Sequence, residues 1–152
     1  VGDIDPINPS SIEKSFLQNC HREKRIEWLG WIDDIENVLL GTDILCLPSY
    51  REGLPKALIE GAAYGLPIVT TNTVGCKDVV EDGVNGFLVP IKNVEQLSKR
   101  IFELIQNKDL RNKMGMESFK IASNKFCSKI INTQTLNVYN EMFFELKNKK
   151  TI

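Results

Sequence analysis

Glu52 and Glu60 are the residues best suited to chemistry, because they bracket a turn that leads from an apolar run into a helix. Glu60 follows Glu52 by eight positions, roughly two helical turns plus 80° at about 100° per residue. With Glu52 just outside the helix and Glu60 in its second turn, both carboxylates can look toward one pocket about 10 Å long. Glu60 stands among Leu58, Ile59, Ala62 and Ala63, a setting that tolerates an ionised group only if it is hydrogen-bonded or reaches a wet cleft. Gly53 removes a Cβ where a ligand can approach the backbone. The first N–H groups of the helix, with Arg51 and Lys56 nearby, favour an anion such as a phosphate.

These residues need a strand before them and a helix after them. Asp43-Ile44-Leu45-Cys46-Leu47 is a short apolar run that predicts a buried strand, and Pro48, which has no N–H to donate to a ladder, ends it. Pro55 suits the first turn of the helix that continues through Tyr64. In open parallel α/β sheets ligands sit outside the carboxyl ends of the strands, so the loop carrying Glu52 and the helix start both face such a crevice.

The rest of the chain supplies the remainder of the sheet. Ser10-Ser11-Ile12-Glu13 has the form of a capping box, before a helix expected over residues 11–23 with Ile12, Phe16, Leu17 and Cys20 on one face. Ile26 to Trp31 reads as a strand opening into a loop, and Asp33-Asp34 caps a short helix ended by Gly41. Gly65-Leu66-Pro67 stops the central helix, and Ile68-Val69-Thr70-Thr71 has the β-branched content of a strand. A short helix through Asp78 and Val80 follows the loop 72–76. Residues 81–86 are rich in turn formers and Phe87-Leu88-Val89 is a last strand stopped by Pro90. Two helical stripes close the chain: Val94, Leu97, Ile101, Leu104 and Ile105, then Leu136, Tyr139, Phe143 and Leu146. Both are expected to be core or interface. The alternation predicts an α/β, Rossmann-like parallel sheet with flanking helices.

Length and composition agree. The 152 residues, 42% hydrophobic and 26% charged, suit one domain with a sizeable core and not two. A net charge of −1 gives no long-range attraction to nucleic acid. Cys20, Cys46, Cys76 and Cys127 lack the paired spacing of a disulfide framework or zinc site, which points to a reducing, cytoplasmic compartment. No run of apolar residues is long enough for a transmembrane helix.

Glu52-Gly53-Leu54-Pro55-Lys56-Ala57-Leu58-Ile59-Glu60, preceded by Leu-Pro-Ser-Tyr-Arg and followed by Gly65-Leu66-Pro67-Ile68-Val69-Thr70-Thr71, resembles the E-x7-E signature of the family 4 retaining glycosyltransferases. The similarity continues through Gly75-Cys76-Lys77-Asp78 and Asp82-Gly83-Val84-Asn85-Gly86-Phe87, covering roughly residues 26 to 126. It implies the C-terminal half of a GT-B fold, the domain that binds the nucleotide-sugar donor. Val1-Gly2-Asp3 is similar to the end of that domain's second strand. On this reading residues 1–152 are one donor-binding domain truncated at its N-terminus, with the acceptor-binding domain and the family's diphosphate-binding Arg and Lys upstream of it.

The resemblance implies that Glu52 is the catalytic-site carboxylate that binds donor-sugar hydroxyls, and that Glu60 binds the ribose. A carboxylate suits both tasks, since it accepts two hydrogen bonds from a vicinal diol. Gly53, Leu54 and Pro55 would shape the sugar pocket, and Trp31, Ile32 and Asp33 become candidates for base contacts. Trp28 is expected to pack in the core and His21 to be surface structure. Cys76 has no histidine to activate it and reads as a loop residue. The implied reaction moves a hexose or amino sugar from a nucleotide diphosphate to a glycan or lipid-linked acceptor with retention, without metal or other cofactor. The parent would act in the cytoplasm or at the cytoplasmic face of the membrane. The rivals are another GT-B enzyme, such as a sugar-nucleotide epimerase or phosphorylase, and a non-catalytic module of the same fold.

Overall fold

The computed structural model describes residues 1–5, 7 and 11–149, the side chains of 145–149 excepted. The chain divides into two units, Val1–Val38 and Leu39–Ile152.

In the first unit α1 spans Lys14–Arg22, shorter than expected. Its N-cap is Glu13, which makes no side-chain cap and instead accepts a hydrogen bond from the Ser15 hydroxyl at 3.1 Å. The Ser10 of the expected capping box lies outside the described residues. Cys20 is buried and Leu17 half-buried, whereas Phe16 is exposed. The run Ile26–Trp31 is irregular, contrary to the expected strand. A ladder needs a partner with repeated hydrogen bonds, and this run receives one strand-like bond, from Gly2 N to Gly30 O at 2.8 Å. Gly30 also adopts φ +66°, which interrupts extended backbone. The indole of Trp28 is half-buried and donates to Gly2 O at 2.9 Å. His21 is exposed and its Nδ1 accepts from the Trp28 amide at 3.1 Å, a structural bond.

The boundary between the units falls within α2, Glu36–Leu40. The second unit then alternates β1 (Leu45–Leu47), α3 (Lys56–Ala63), β2 (Ile68–Thr71), α4 (Val74–Val79) and β3 (Gly86–Val89). It ends in α5 (Val94–Gln106), α6 (Lys108–Lys125) and α7 (Ser128–Lys149). The strands form one parallel sheet in the order β1-β2-β3, with Leu45 opposite Ile68 and Ile68 opposite Gly86. All four residues of β2 are buried, as a central parallel strand requires. By contrast β1 pairs on one side only among the described residues, so Leu45 and Leu47 are half-buried and Cys46 is exposed, against the expectation of a buried strand.

Successive residues of β2 point to opposite faces, and each face has its own core. Ile68 packs with Leu58 and Ala62 of α3, Cys76 and Val79 of α4, and Val80. Val69 packs with Phe87, Leu104 of α5 and Met114 of α6. Each fully buried Leu or Ile contributes on the order of 1.5–3 kcal/mol. The helix α6 serves both clusters because it runs close to the end of α3, where a side chain at Gly115 would overlap the carbonyl oxygen of Gly65.

The turn before β3 is organised by Asn85, fully buried, whose Oδ1 accepts from Glu81 N at 2.8 Å and whose Nδ2 donates to Val79 O at 3.2 Å. Ser118 of α6 donates to the Asn85 carbonyl at 3.1 Å, tying the turn to the helix layer. Asn93 and Asn107 cap α5 and α6 by accepting from Gln96 N and Leu110 N. Leu136, Tyr139 and Phe143 of α7 lie on exposed surface, while Val94 and Ile105 at the ends of the α5 stripe are also exposed. The Leu146 side chain lies outside the described residues.

Candidate functional site

The loops that leave β1, β2 and β3 gather at the carboxyl edge of the sheet in the second unit. Glu52, half-buried, lies in the loop 48–55 after β1. Its Oε1 accepts a hydrogen bond from the Ser49 hydroxyl at 2.5 Å. Gly53 and Leu54 are exposed and Pro55 is buried. Pro55 serves as the N-cap of α3, with φ −72° and ψ 110°, one position earlier than the first-turn place expected from sequence. An extended ψ keeps it outside the helix, and without a side-chain oxygen it caps nothing, so α3 starts with no side-chain cap.

Glu60 stands in the second turn of α3. Its side chain is 38% exposed and faces Lys56 Nζ at 3.8 Å, an i,i+4 pair open to solvent. This exposure resolves the apparent conflict of a carboxylate among apolar neighbours: Leu58, Ala62 and Gly61 turn inward, and Glu60 does not. Only a modest energy, at most about 1 kcal/mol, is expected from so exposed a pair, so Lys56 can yield Glu60 to a ligand.

Sequence reasoning missed three neighbours of Glu52. Ser49 carries the hydroxyl bound to its carboxylate, and the hydroxyl of Thr71, at the end of β2, donates to Ser49 O. Gly75 of α4 abuts the other flank, where any Cβ would overlap Gly53 O. The Ser-x-x-Glu spacing of Ser49 and Glu52 was a visible signal, of the same form as a capping box. The reach of Thr71 and Gly75 across the sheet was not.

Beside this loop a cavity of about 210 Å³ opens among Pro48, Tyr50, Thr71, Val89, Lys92 and Asn93. The Lys92 ammonium stands 5.7 Å from the centre of the Tyr50 ring. Glu52 and Glu60 are not among its walls. A larger cavity of about 790 Å³ lies at the far end of α3, by Tyr64, Gly65, Met116 and Phe119, away from the carboxylates. Trp31, Ile32 and Asp33 belong to the first unit. Trp31 is 75% exposed and its indole N–H donates to Asp33 Oδ1 at 2.8 Å, so the two are held together, while Ile32 is half-buried.

Many solved structures match this architecture, two of which serve as examples. Anabaena Alr3699/HepE in complex with UDP aligns with a TM-score of 0.78 at 26% identity, over 84% of this chain and 36% of its own. The sucrose-phosphate synthase of Thermosynechococcus elongatus aligns with a TM-score of 0.82 at 21% identity, over 94% of this chain and 37% of its own, which speaks for the fold. The parallel sheet and its flanking helices are thus the α/β, Rossmann-like arrangement of the GT-B glycosyltransferases. Residues 11–120 match the family Glycosyl transferases group 1. Capsular polysaccharide biosynthesis glycosyltransferase CapM of Staphylococcus aureus is 33% identical over 149 residues, 98% of this chain and 39% of CapM. UDP-Gal:alpha-D-GlcNAc-diphosphoundecaprenol alpha-1,3-galactosyltransferase of Escherichia coli is 30% identical over 121 residues, 75% of this chain and 31% of that enzyme. The chain belongs to the group 1 glycosyl transferases. It spans 31% to 39% of the length of these two relatives.

Proposed function

We propose that this chain is the donor-binding part of a longer retaining glycosyltransferase that moves a hexose or amino sugar from a nucleotide diphosphate to a glycan or lipid-linked acceptor. The observation that carries this reading is the pair of carboxylates about the start of α3, one held in the loop after β1 and the other presented from the second helical turn. Glu52 accepts hydrogen bonds from the donor sugar and Glu60 from the ribose diol, as acceptor-only groups do. The diphosphate lies toward the first N–H groups of α3, which carry no side-chain cap, with Arg51 and Lys56 adding positive charge. Departure of the nucleoside diphosphate builds negative charge there, and donors already oriented stabilise it without reorganisation.

The nucleotide is uridine-based by analogy with HepE, whose structure holds UDP, and with the E. coli enzyme named for UDP-Gal. Trp31, Ile32 and Asp33 are the residues proposed for the base. CapM and the E. coli galactosyltransferase support an acceptor in surface-glycan assembly. Their length supports a second, acceptor-binding domain in the whole protein, which would work in the cytoplasm or at the membrane's cytoplasmic face. Among the described residues no helix is long and apolar enough to cross a membrane.

The test is product analysis with the full-length parent and a panel of UDP-sugars. An α-linked product from an α-configured donor, with turnover lowered in Glu52→Gln while UDP affinity is kept, supports the reading, because the sugar contact is absent from UDP. An inverted product, an epimerised nucleotide sugar or a sugar phosphate would assign the chain to a different reaction.

A further inference from the structure

The geometry points to Ser49 as the residue that positions Glu52 for the donor sugar, an inference that rests on the sugar contact proposed above for Glu52. A glutamate in a loop has three rotatable bonds, and binding through it must offset the rotamer freedom lost when they are fixed. Here the Ser49 bond supplies part of that ordering. The Ser49 hydroxyl is the donor, since a carboxylate only accepts, and its 2.5 Å bond to Oε1 is of the short, charge-assisted kind. One oxygen is thereby held, and Oε2 remains for another donor.

Ser49 can serve as an anchor because its own backbone is fixed from the core. Thr71, 3% exposed, donates its hydroxyl to Ser49 O, and its neighbour Thr70, fully buried, donates to Leu47 O at 2.7 Å. Both threonines belong to β2, the strand buried along its whole length. The chain of contacts therefore runs from the rigid centre of the sheet, through the end of β1, to one carboxylate oxygen. On the other flank Gly75 blocks movement of the Gly53 carbonyl. Ser49 is proposed to act on the donor through Glu52. It is a positioning residue, and its effect is confined to ligands that reach Glu52.

That confinement sets the experiment. UDP and UDP-glucose are titrated separately into the wild-type chain, Ser49→Ala, Ser49→Thr and Glu52→Gln, and the ratio of the two dissociation constants is compared. UDP lacks the sugar and reports on everything except Glu52. The expected result is that Ser49→Ala shifts the ratio against UDP-glucose by about three- to tenfold, the scale of one hydrogen bond, with UDP affinity unchanged. Glu52→Gln should shift it in the same direction, and Ser49→Thr, which keeps the hydroxyl, should restore the wild-type ratio. A purely structural role would weaken both ligands together. A wild-type ratio in Ser49→Ala, beside a shifted ratio in Glu52→Gln, overturns the role of Ser49 and leaves that of Glu52 standing. Should Ser49→Ala not fold, a Ser49→Thr ratio equal to that of Glu52→Gln overturns it as well. An unshifted ratio in Glu52→Gln, or no binding of UDP-glucose by the wild type, overturns the sugar contact itself and this inference with it.

Discussion

Gly75 stands so close to Gly53 that a side chain on it would overlap the Gly53 carbonyl oxygen and crowd that of Glu52. The first turn of α4 thus forms one wall of the loop that carries Glu52. Gly75→Ala must push backbone away, because no flexible side-chain end is there to yield. Overpacking of this kind costs about 1–3 kcal/mol, or about 2–12 °C in Tm for a chain of this size. Gly53→Ala is the control, since a Cβ at Gly53 meets nothing within 4 Å. Thermal unfolding should separate the two variants, and equal midpoints would contradict the contact.

Replacing Glu60 by Ala should weaken binding of UDP by about 1–3 kcal/mol, the scale of hydrogen bonds to a charged group. The loss should shrink for 2′-deoxy-UDP, which keeps only one of the two ribose hydroxyls. Titrating both nucleotides into wild type and variant checks this. Undiminished discrimination between the two sugars in Glu60→Ala would remove the residue from ribose binding.

The chain alone should bind UDP with an affinity in the high micromolar to millimolar range, about 4–6 kcal/mol. On the reading proposed above, Glu60 and the start of α3 are what it offers to UDP. Sugar transfer should be undetectable, because orienting an acceptor against the anomeric carbon can supply ~7–11 kcal/mol of the barrier reduction. Isothermal titration and a radiolabelled-sugar transfer assay test the two halves of this statement. Turnover by the chain at the rate of the full-length parent would contradict a two-domain mechanism.

Asn85→Ala should cost about 2–5 kcal/mol of stability, since it removes both hydrogen bonds of a fully buried side chain and leaves the part-buried Glu81 amide and the Val79 carbonyl without it. Lys125→Ala, which removes the 2.8 Å ion pair to Glu81 between half-exposed side chains, should cost less than about 1 kcal/mol. Urea midpoints of the two variants should differ accordingly. A larger loss at Lys125 would mean that the surface pair, and not the buried amide, secures the turn.

What the sequence determined by itself was local or periodic. Pro48 ended β1 because it lacks a donor, Gly65 at φ +70° and Pro67 ended α3, and the β-branched run Ile68–Thr71 became the buried centre of the sheet. The eight-residue interval between Glu52 and Glu60 likewise needed only helical geometry to be read as a loop residue and a second-turn residue. Tertiary structure decided what depends on neighbours distant in the chain. Ile26–Trp31 had the apolar content of a strand, yet it is irregular, because a strand is made by its partner and the composition of the run names none. Cys46 is exposed although it lies in an apolar run, because β1 is paired on one side only. The setting of Glu52 shows both kinds of cause. Ser49 is three residues away and its spacing was visible, but its anchor is Thr71, twenty-two residues on, and its wall is Gly75. Those two reach the loop only because β2 lies parallel beside β1, so that the carboxyl ends of both strands, and the loops they release, meet at one edge.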